Sequence, residues 1–324
     1  MAGHSRSKNG VTSLAYVPAI RVLPFADEKD GDTRDKRGHD GYNYVHGNKQ
    51  SSDSSLEIAV TKPNDDAPVL CEVDGHGVAQ VVLNRPDRNN AYDGALIQAL
   101  HATLDALEQT QGLRAVVISG RGKHFQAGAD LKWIDAVRAA SREENIAVSR
   151  ATAQAIWRLN AAPVPTVALV HGACFGGGTG LIAACDVVLA AADANFSIAE
   201  VRWGLTAAII VPQLNDAIGV RQVRRYALTG ERFSAAEARR IGLVHEVVPP
   251  AELAAAGARI VEQLLQNGPQ AIAETKAVAL QSAWTDLGEA AANRLIESHA
   301  DKRRSAEAAE GLASFAEKRP ARWS

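Results

Sequence analysis

The chain has 324 residues, 46% apolar and 22% charged, the composition of a globular protein with enough core to enclose a site. Its 35 basic and 37 acidic side chains leave a formal charge of -2, so the chain lacks the basic footprint of a nucleic-acid binder or of a protein drawn to an anionic membrane. No run approaches the roughly 18–20 apolar residues of a spanning helix. Cys71, Cys174 and Cys185 are too few and too far apart for a disulfide framework or a zinc site, and a cytoplasmic location is expected.

Residues 1–66 differ in texture from the rest. They are rich in Gly, Asn, Ser and Asp, carry nine Lys/Arg against ten Asp/Glu, and show no sustained period of 2 or 3.6. Secretory and mitochondrial leaders do not have that composition, and a disordered extension or leader is expected. From Ala67 strands and helices alternate. Val78–Leu83 is a β-branched run closed by Asn84-Arg85-Pro86-Asp87. Leu96, Leu100, Leu104 and Leu107 then form one helical stripe. Arg114–Ser119 is a second strand, Glu144–Leu159 a helix stopped by Pro163 and Pro165, and Thr166–Val170 a third strand. A glycine cluster opens into Leu181–Ala184, and Cys185–Ala191 reads as a fourth strand. Such alternation favours parallel pairing with crossover helices. After Pro250 the chain is alanine-rich and helical through Phe315. The expected division is 67–250 as an α/β core and 251–324 as a helical region.

Two glycine-bearing segments follow strands at one edge of the inferred sheet: Lys123 to Leu131, and His171 to Gly180. Small residues there let a ligand approach the backbone, and free N–H groups at a helix start can hold negative charge. Two converging N–H groups would make an oxyanion hole. The histidines show no H-E-x-x-H spacing, the glycines give neither G-x-G-x-x-G nor a phosphate loop, and no G-x-S-x-G elbow occurs.

The runs N-R-P (Asn84 to Pro86), F-Q-A-G-A-D-L (Phe125 to Leu131) and H-G-x-x-x-G-G-G (His171 to Gly178) resemble the enoyl-CoA hydratase/isomerase, or crotonase, family. F-S-I-A-E-V-R-W-G-L (Phe196 to Leu205), L-T-G-E-R-F-S-A-x-E-A (Leu228 to Ala238), G-L-V-H-E-V-V (Gly242 to Val248) and E-K-R-P-A-R-W (Glu317 to Trp323) extend the resemblance in family order. It implies an α/β fold built as a spiral of ββα units, a C-terminal helical trimerisation region, and acyl-CoA thioester substrates, with coenzyme A entering as part of the substrate and no cofactor or metal. It places the oxyanion donors at the N–H groups of Ala129 and Gly177, beside Gly176. The CoA adenine would lie against Gln126, Ala127 and Gly128, with Trp133 also at the site. Arg88, Lys132 and Lys318 become candidate contacts to the nucleotide end, with an ordinary solvated surface as the alternative.

Hydratases of this family usually carry two glutamates. By the resemblance the second is Glu200, while the position of the first is Gly180. One carboxylate suffices to move a C2 proton to C4 in a Δ3,Δ2-isomerase, and it also permits hydration if other groups orient the water. A non-catalytic acyl-CoA binder is the third reading. The stretches around Gly180 and Glu200 are similar to the branch acting on methylglutaconyl- and isohexenylglutaconyl-CoA. The leading expectation is therefore a hydro-lyase adding water to a 2-enoyl-CoA of fatty acid or branched-chain acyl catabolism, forming a homotrimer or a dimer of trimers. Arg202 reads either as a partner for a substrate carboxylate or as an exposed salt bridge. Asp130, Asp186 and Glu231 read as structural, as does His171 at a strand end.

Overall fold

The structure, a computed structural model, describes residues 66–283 and 289–323. The expected extension lies outside the described residues apart from Asp66. Val69–Val73 (β1) and Val78–Leu83 (β2) pair antiparallel. The turn between them is built by the Asp74 carboxylate, which accepts from the N–H groups of His76 and Val78. Gly94–Glu108 (α1) starts at Asp93, whose side chain accepts from Leu96 N–H, and it buries Leu96 and Leu107 of the expected stripe. Ala115–Gly120 (β3) leads through the first glycine-bearing loop into Leu131–Ala139 (α2). Arg142–Asn160 (α3) opens with a reciprocal capping box between Ser141 and Glu144. Thr166–Val170 (β4) and Ala173–Phe175 (β5) bracket His171 and Gly172, and Gly177–Ala183 (α4) follows at once.

Val187–Ala191 (β6) begins later than the expected Cys185, because Cys185 N–H still closes the end of α4 on Ile182 and the Asp186 side chain turns to Thr166. Asn195–Ser197 (β7), Val211–Thr229 (α5), Phe233–Ser234 (β8), Ala235–Ile241 (α6) and Glu246–Val248 (β9) complete the α/β part. The helical stretch resolves into Leu253–Leu265 (α7), Pro269–Ser282 (α8), Glu289–Arg303 (α9) and Ala306–Glu317 (α10).

Six strands form one sheet in the order β1-β2-β3-β4-β6-β9, and every pair beyond the first is parallel. A second sheet, β5-β7-β8, stands apart from it; its strands are two or three residues long and give little periodic signal in the sequence. The main sheet is buried on both faces, as parallel sheets require. Val81, Leu83, Val116, Ile118, Ala168 and Val170 face one core with Leu96, Ile156 and Leu159. The alternate residues Val78, Ala115, Val117, Val167 and Leu189 face Leu253 and Ala256 of α7. The period of two along each strand thus sorts its side chains between two layers of helix. This mixed α/β framework sends both glycine-bearing loops from the C-terminal ends of adjacent parallel strands, β3 and β4, to one place.

Candidate active site

The first loop is shaped by Asn89 and Asn90, both left-handed at φ 51° and 54°. Asn90 is fully buried; its Oδ1 accepts from Arg85 N–H, and its Nδ2 donates to the carbonyls of Arg121 and His124. The Asn89 carbonyl accepts from Ala127 N–H, so two neighbouring side-chain and backbone clamps fix the chain just before Gly128. Tyr92 N–H donates to Gly128 O, and Asp130 N–H donates to Tyr92 O. Ala129, held between those two bonds, donates to no protein acceptor among the described residues. Asp130 then caps α2 by accepting from the N–H groups of Lys132 and Trp133, the structural role its sequence suggests.

The second loop turns at Gly176, whose φ of 50° and ψ of -121° suit glycine alone. Gly177 is the first residue of α4, where the helix has no internal acceptor for its N–H. Both expected oxyanion donors, Ala129 and Gly177, are therefore free.

Glu200 follows β7 and opens a short 3-10 turn through Trp203. Its carbonyl accepts from Gly204 and Leu205, which fixes its backbone. The carboxylate reaches back to the glycine loop: a β-carbon placed on Gly176 would lie 3.0 Å from Glu200 Oε1. Oε2 is buried with no hydrogen-bond partner among the described residues. Burial holds the Glu200 carboxyl above the usual carboxylate range, because a charged group there lacks water. A carboxylate oxygen shut away from water without a partner is costly unless a reactant uses it.

Two cavities meet at this point. One of about 260 Å³ is bordered by Ala129, Gly128 and Arg202, and one of about 650 Å³ runs between α2, α3 and the segment Leu205 to Ile210.

The sequence profile described as enoyl-CoA hydratase/isomerase matches residues 74–324. The chain belongs to that family. It is similar to a solved enoyl-CoA hydratase from Shewanella pealeana, with a TM-score of 0.76 and 35% identity over 79% of this chain and 96% of the other. That likeness shows the crotonase fold. The hydroxycinnamoyl-CoA hydratase-lyase of Pseudomonas fluorescens is 34% identical over 62% of this chain and 74% of its own length. The peroxisomal Delta(3,5)-Delta(2,4)-dienoyl-CoA isomerase of Arabidopsis thaliana is 33% identical over 63% of this chain and 78% of its own. Relatives at equal distance thus carry names of different reactions, and the residues of this site must distinguish them.

Within this crotonase-fold site the expected contacts spread unevenly. Gly128, Ala127, Ala129, Gly176, Glu200 and Arg202 border the smaller cavity, and Trp133, Gly177 and again Glu200 the larger. Gln126 is buried, and its N–H and carbonyl are bonded to Ala173 and Phe175 while its Oε1 accepts from Gly128 N–H. Its visible role is to join the two loops. Arg88, Lys132 and Lys318 are exposed and border neither cavity. Arg202 forms no salt bridge with a protein carboxylate among the described residues; its Nε donates to Gly230 O at 2.8 Å. Asp186 pairs with Lys276, Glu231 with Arg225, and His171 Nε2 meets Gly122 O.

Three features escape sequence reasoning. A β-carbon on Gly180 would lie 2.2 Å from Ile210 Cγ2, so the place of the absent carboxylate is filled by a fully buried isoleucine from thirty residues later. Arg138 and Arg142 border the larger cavity, and Arg142 has no ion-pair partner among the described residues. Tyr92 stands at the junction of both cavities. The i, i+3, i+7 spacing of Arg142, Asn145 and Ser149 was legible as one helix face; what that face borders was not.

Proposed function

We propose that this protein adds water across the 2,3 double bond of an enoyl-CoA, with Glu200 as its single carboxylate acid/base. The observation that carries the reading is Glu200 Oε2, buried without a hydrogen-bond partner, at cavities also bordered by Ala129 and Gly177, whose N–H groups donate to no acceptor among the described residues. With the thioester oxygen between Ala129 and Gly177, Glu200 takes a proton from water as the oxygen bonds C3. The electron pair moves onto the thioester oxygen as an enolate, which the two donors stabilise. Glu200, now protonated, returns the proton to C2. Its raised proton affinity matches both halves of that cycle. The same reading makes coenzyme A part of the substrate and requires no further cofactor.

For the acyl group we propose a carboxylated, glutaconyl-type chain. The larger cavity has a mostly apolar wall, with Arg138 and Arg142 as its bordering cations and Glu200 as its bordering acid. Isomerisation of a 3-enoyl-CoA is the second reading, favoured by the filled space at Gly180, since proton transfer from C2 to C4 needs one base and no water.

The test follows the enoyl-thioester absorbance with crotonyl-CoA, a glutaconyl-type ester and a 3-enoyl ester. Hydration bleaches the band, isomerisation creates it, and a non-catalytic binder does neither. We also propose a trimer or a dimer of trimers, supported by apolar side chains left outside the core: Phe315 is 85% exposed, Leu312 68% and Ile296 64%. A cytoplasmic location belongs to the same reading, supported by three free cysteines; no helix among the described residues is long and apolar enough to cross a membrane.

A further inference from the structure

Hydration by one carboxylate leaves a question of geometry. A water molecule held by a single acceptor can swing, and its oxygen must be aimed at C3. The carboxylate that would share it is absent at Gly180, and Ile210 closes that space with hydrocarbon. Three of the polar side chains near Glu200 are otherwise engaged. Ser197 Oγ donates to Gly230 O, Thr179 Oγ donates to Gly176 O, and Arg202 Nε donates to Gly230 O.

Tyr92 differs from all of these. Tyr92, Glu200 and Leu205 are the side chains that border both cavities, so Tyr92 is the one polar group besides Glu200 that faces their junction among the described residues. The oxyanion donors bracket that junction, with Ala129 bordering the smaller cavity and Gly177 the larger. Glu200 and Tyr92 approach consecutive residues of the glycine loop. A β-carbon on Gly176 would lie 3.0 Å from Glu200 Oε1, and one on Gly177 would lie 2.6 Å from Tyr92 Cε1. Tyr92 is held on both sides, by its backbone bonds to Gly128 and Asp130 and by an edge-on contact with Trp133 at 5.9 Å between ring centres. Its hydroxyl has no hydrogen-bond partner among the described residues, and unlike Glu200 Oε2 it is not among the polar atoms sealed from solvent.

We propose that the Tyr92 hydroxyl holds the attacking water together with Glu200, in the position that a second carboxylate would otherwise serve. The water donates one proton to Glu200 and the other to the tyrosine oxygen, which fixes its lone pair toward C3. As the C3–O bond forms, the first proton passes to Glu200 and later to C2, and the second stays on the new hydroxyl. Tyr92 neither gains nor loses a proton over the cycle. Burial and the nearby Glu200 charge push the Tyr92 phenol up to about 12, so it stays neutral at working pH.

The inference rests on the hydratase reading, and the test separates the two. Tyr92→Phe keeps the ring against Gly177 and removes only the hydroxyl. Hydration of crotonyl-CoA should lose about 10²-fold in kcat with KM nearly unchanged. Deuterium uptake at C2 of butyryl-CoA in D₂O needs Glu200 and the oxyanion donors but no aimed water at C3, and it should stay near the wild-type rate. Undiminished hydration by Tyr92→Phe overturns the inference. Equal loss of hydration and exchange also overturns it, because that pattern means the ring only shapes the site. If neither reaction depends on Glu200 when Glu200→Gln is measured, the hydratase reading fails and this inference falls with it.

Discussion

At the scale of single residues, the role proposed for Glu200 has consequences for both turnover and stability. Replacing it with Gln keeps size and hydrogen-bonding capacity but removes the exchangeable proton. The expected result is a kcat lower by about 10²–10⁴-fold with little change in CoA-ester affinity, measured by steady-state kinetics and by equilibrium binding. The same change should stabilise the fold. Because burial raises the folded-state pKa of Glu200, the native protein binds this proton more tightly than the unfolded chain. Its contribution to stability therefore falls as pH rises from the unfolded carboxylate value through the folded one, and the full penalty applies above both. Denaturant melts of wild type and Glu200→Gln should match most closely at acid pH, and the variant should be the more stable at neutral pH. A variant destabilised at neutral pH would mean that the carboxylate has a partner in the folded protein.

Gly180 belongs to the same scale. From sequence alone a carboxylate restored there reads either as a gain for simple substrates or as a clash. With Ile210 Cγ2 2.2 Å from any β-carbon at that position, Gly180→Glu overfills the core. A cost of about 1–3 kcal/mol is expected from overpacking before any charge is considered. Adding Ile210→Ala should recover most of that loss in urea melts. Additive losses in the double variant would show that the two positions do not share one space.

At the scale of elements, α8 is tied to the sheet by one polar cluster. Asp186 Oδ2 accepts from Thr166 N–H, Thr166 Oγ and Lys276 Nζ, and Lys276 also donates to Val164 O. The lysine side chain is 9% exposed and the aspartate 30%, so solvent screens the pair little. Lys276→Met should cost about 1–3 kcal/mol, because two acceptors lose a charged donor. Denaturant unfolding measures it, and a change within error would show that α8 docks through its apolar contacts instead. The loss should spare Glu200-dependent exchange per folded molecule, since the cluster lies at the other ends of β4 and β6 from the glycine loops.

At the scale of the whole molecule, light scattering at micromolar concentration tests the proposed trimer, and a monomer would remove it. Removing residues 1–65 should leave the melting temperature and turnover nearly unchanged. The core runs unbroken from Val69 to α7, and the excised stretch has no apolar period with which to extend it. A large loss of either quantity would show otherwise.

What the sequence determined by itself was local or repeated along the chain. Val78–Leu83 and Thr166–Val170 form strands over those same residues, because a run of five or six residues rich in β-branched side chains and bounded by turn residues is too short for a helix of ordinary length. The motifs around Ala129, Gly177 and Glu200 carried the family, and with it the fold, because their order and spacing span most of the chain. The β5-β7-β8 sheet was hidden by strands too short to show a period. Two side-chain pairs at the site were hidden for a different reason. Gly180 and Ile210, like Tyr92 and Glu200, are far apart in sequence and share space only after the chain has crossed the sheet. Periodicity reports which face a residue takes, whereas only the tertiary structure decides which distant side chain meets it there.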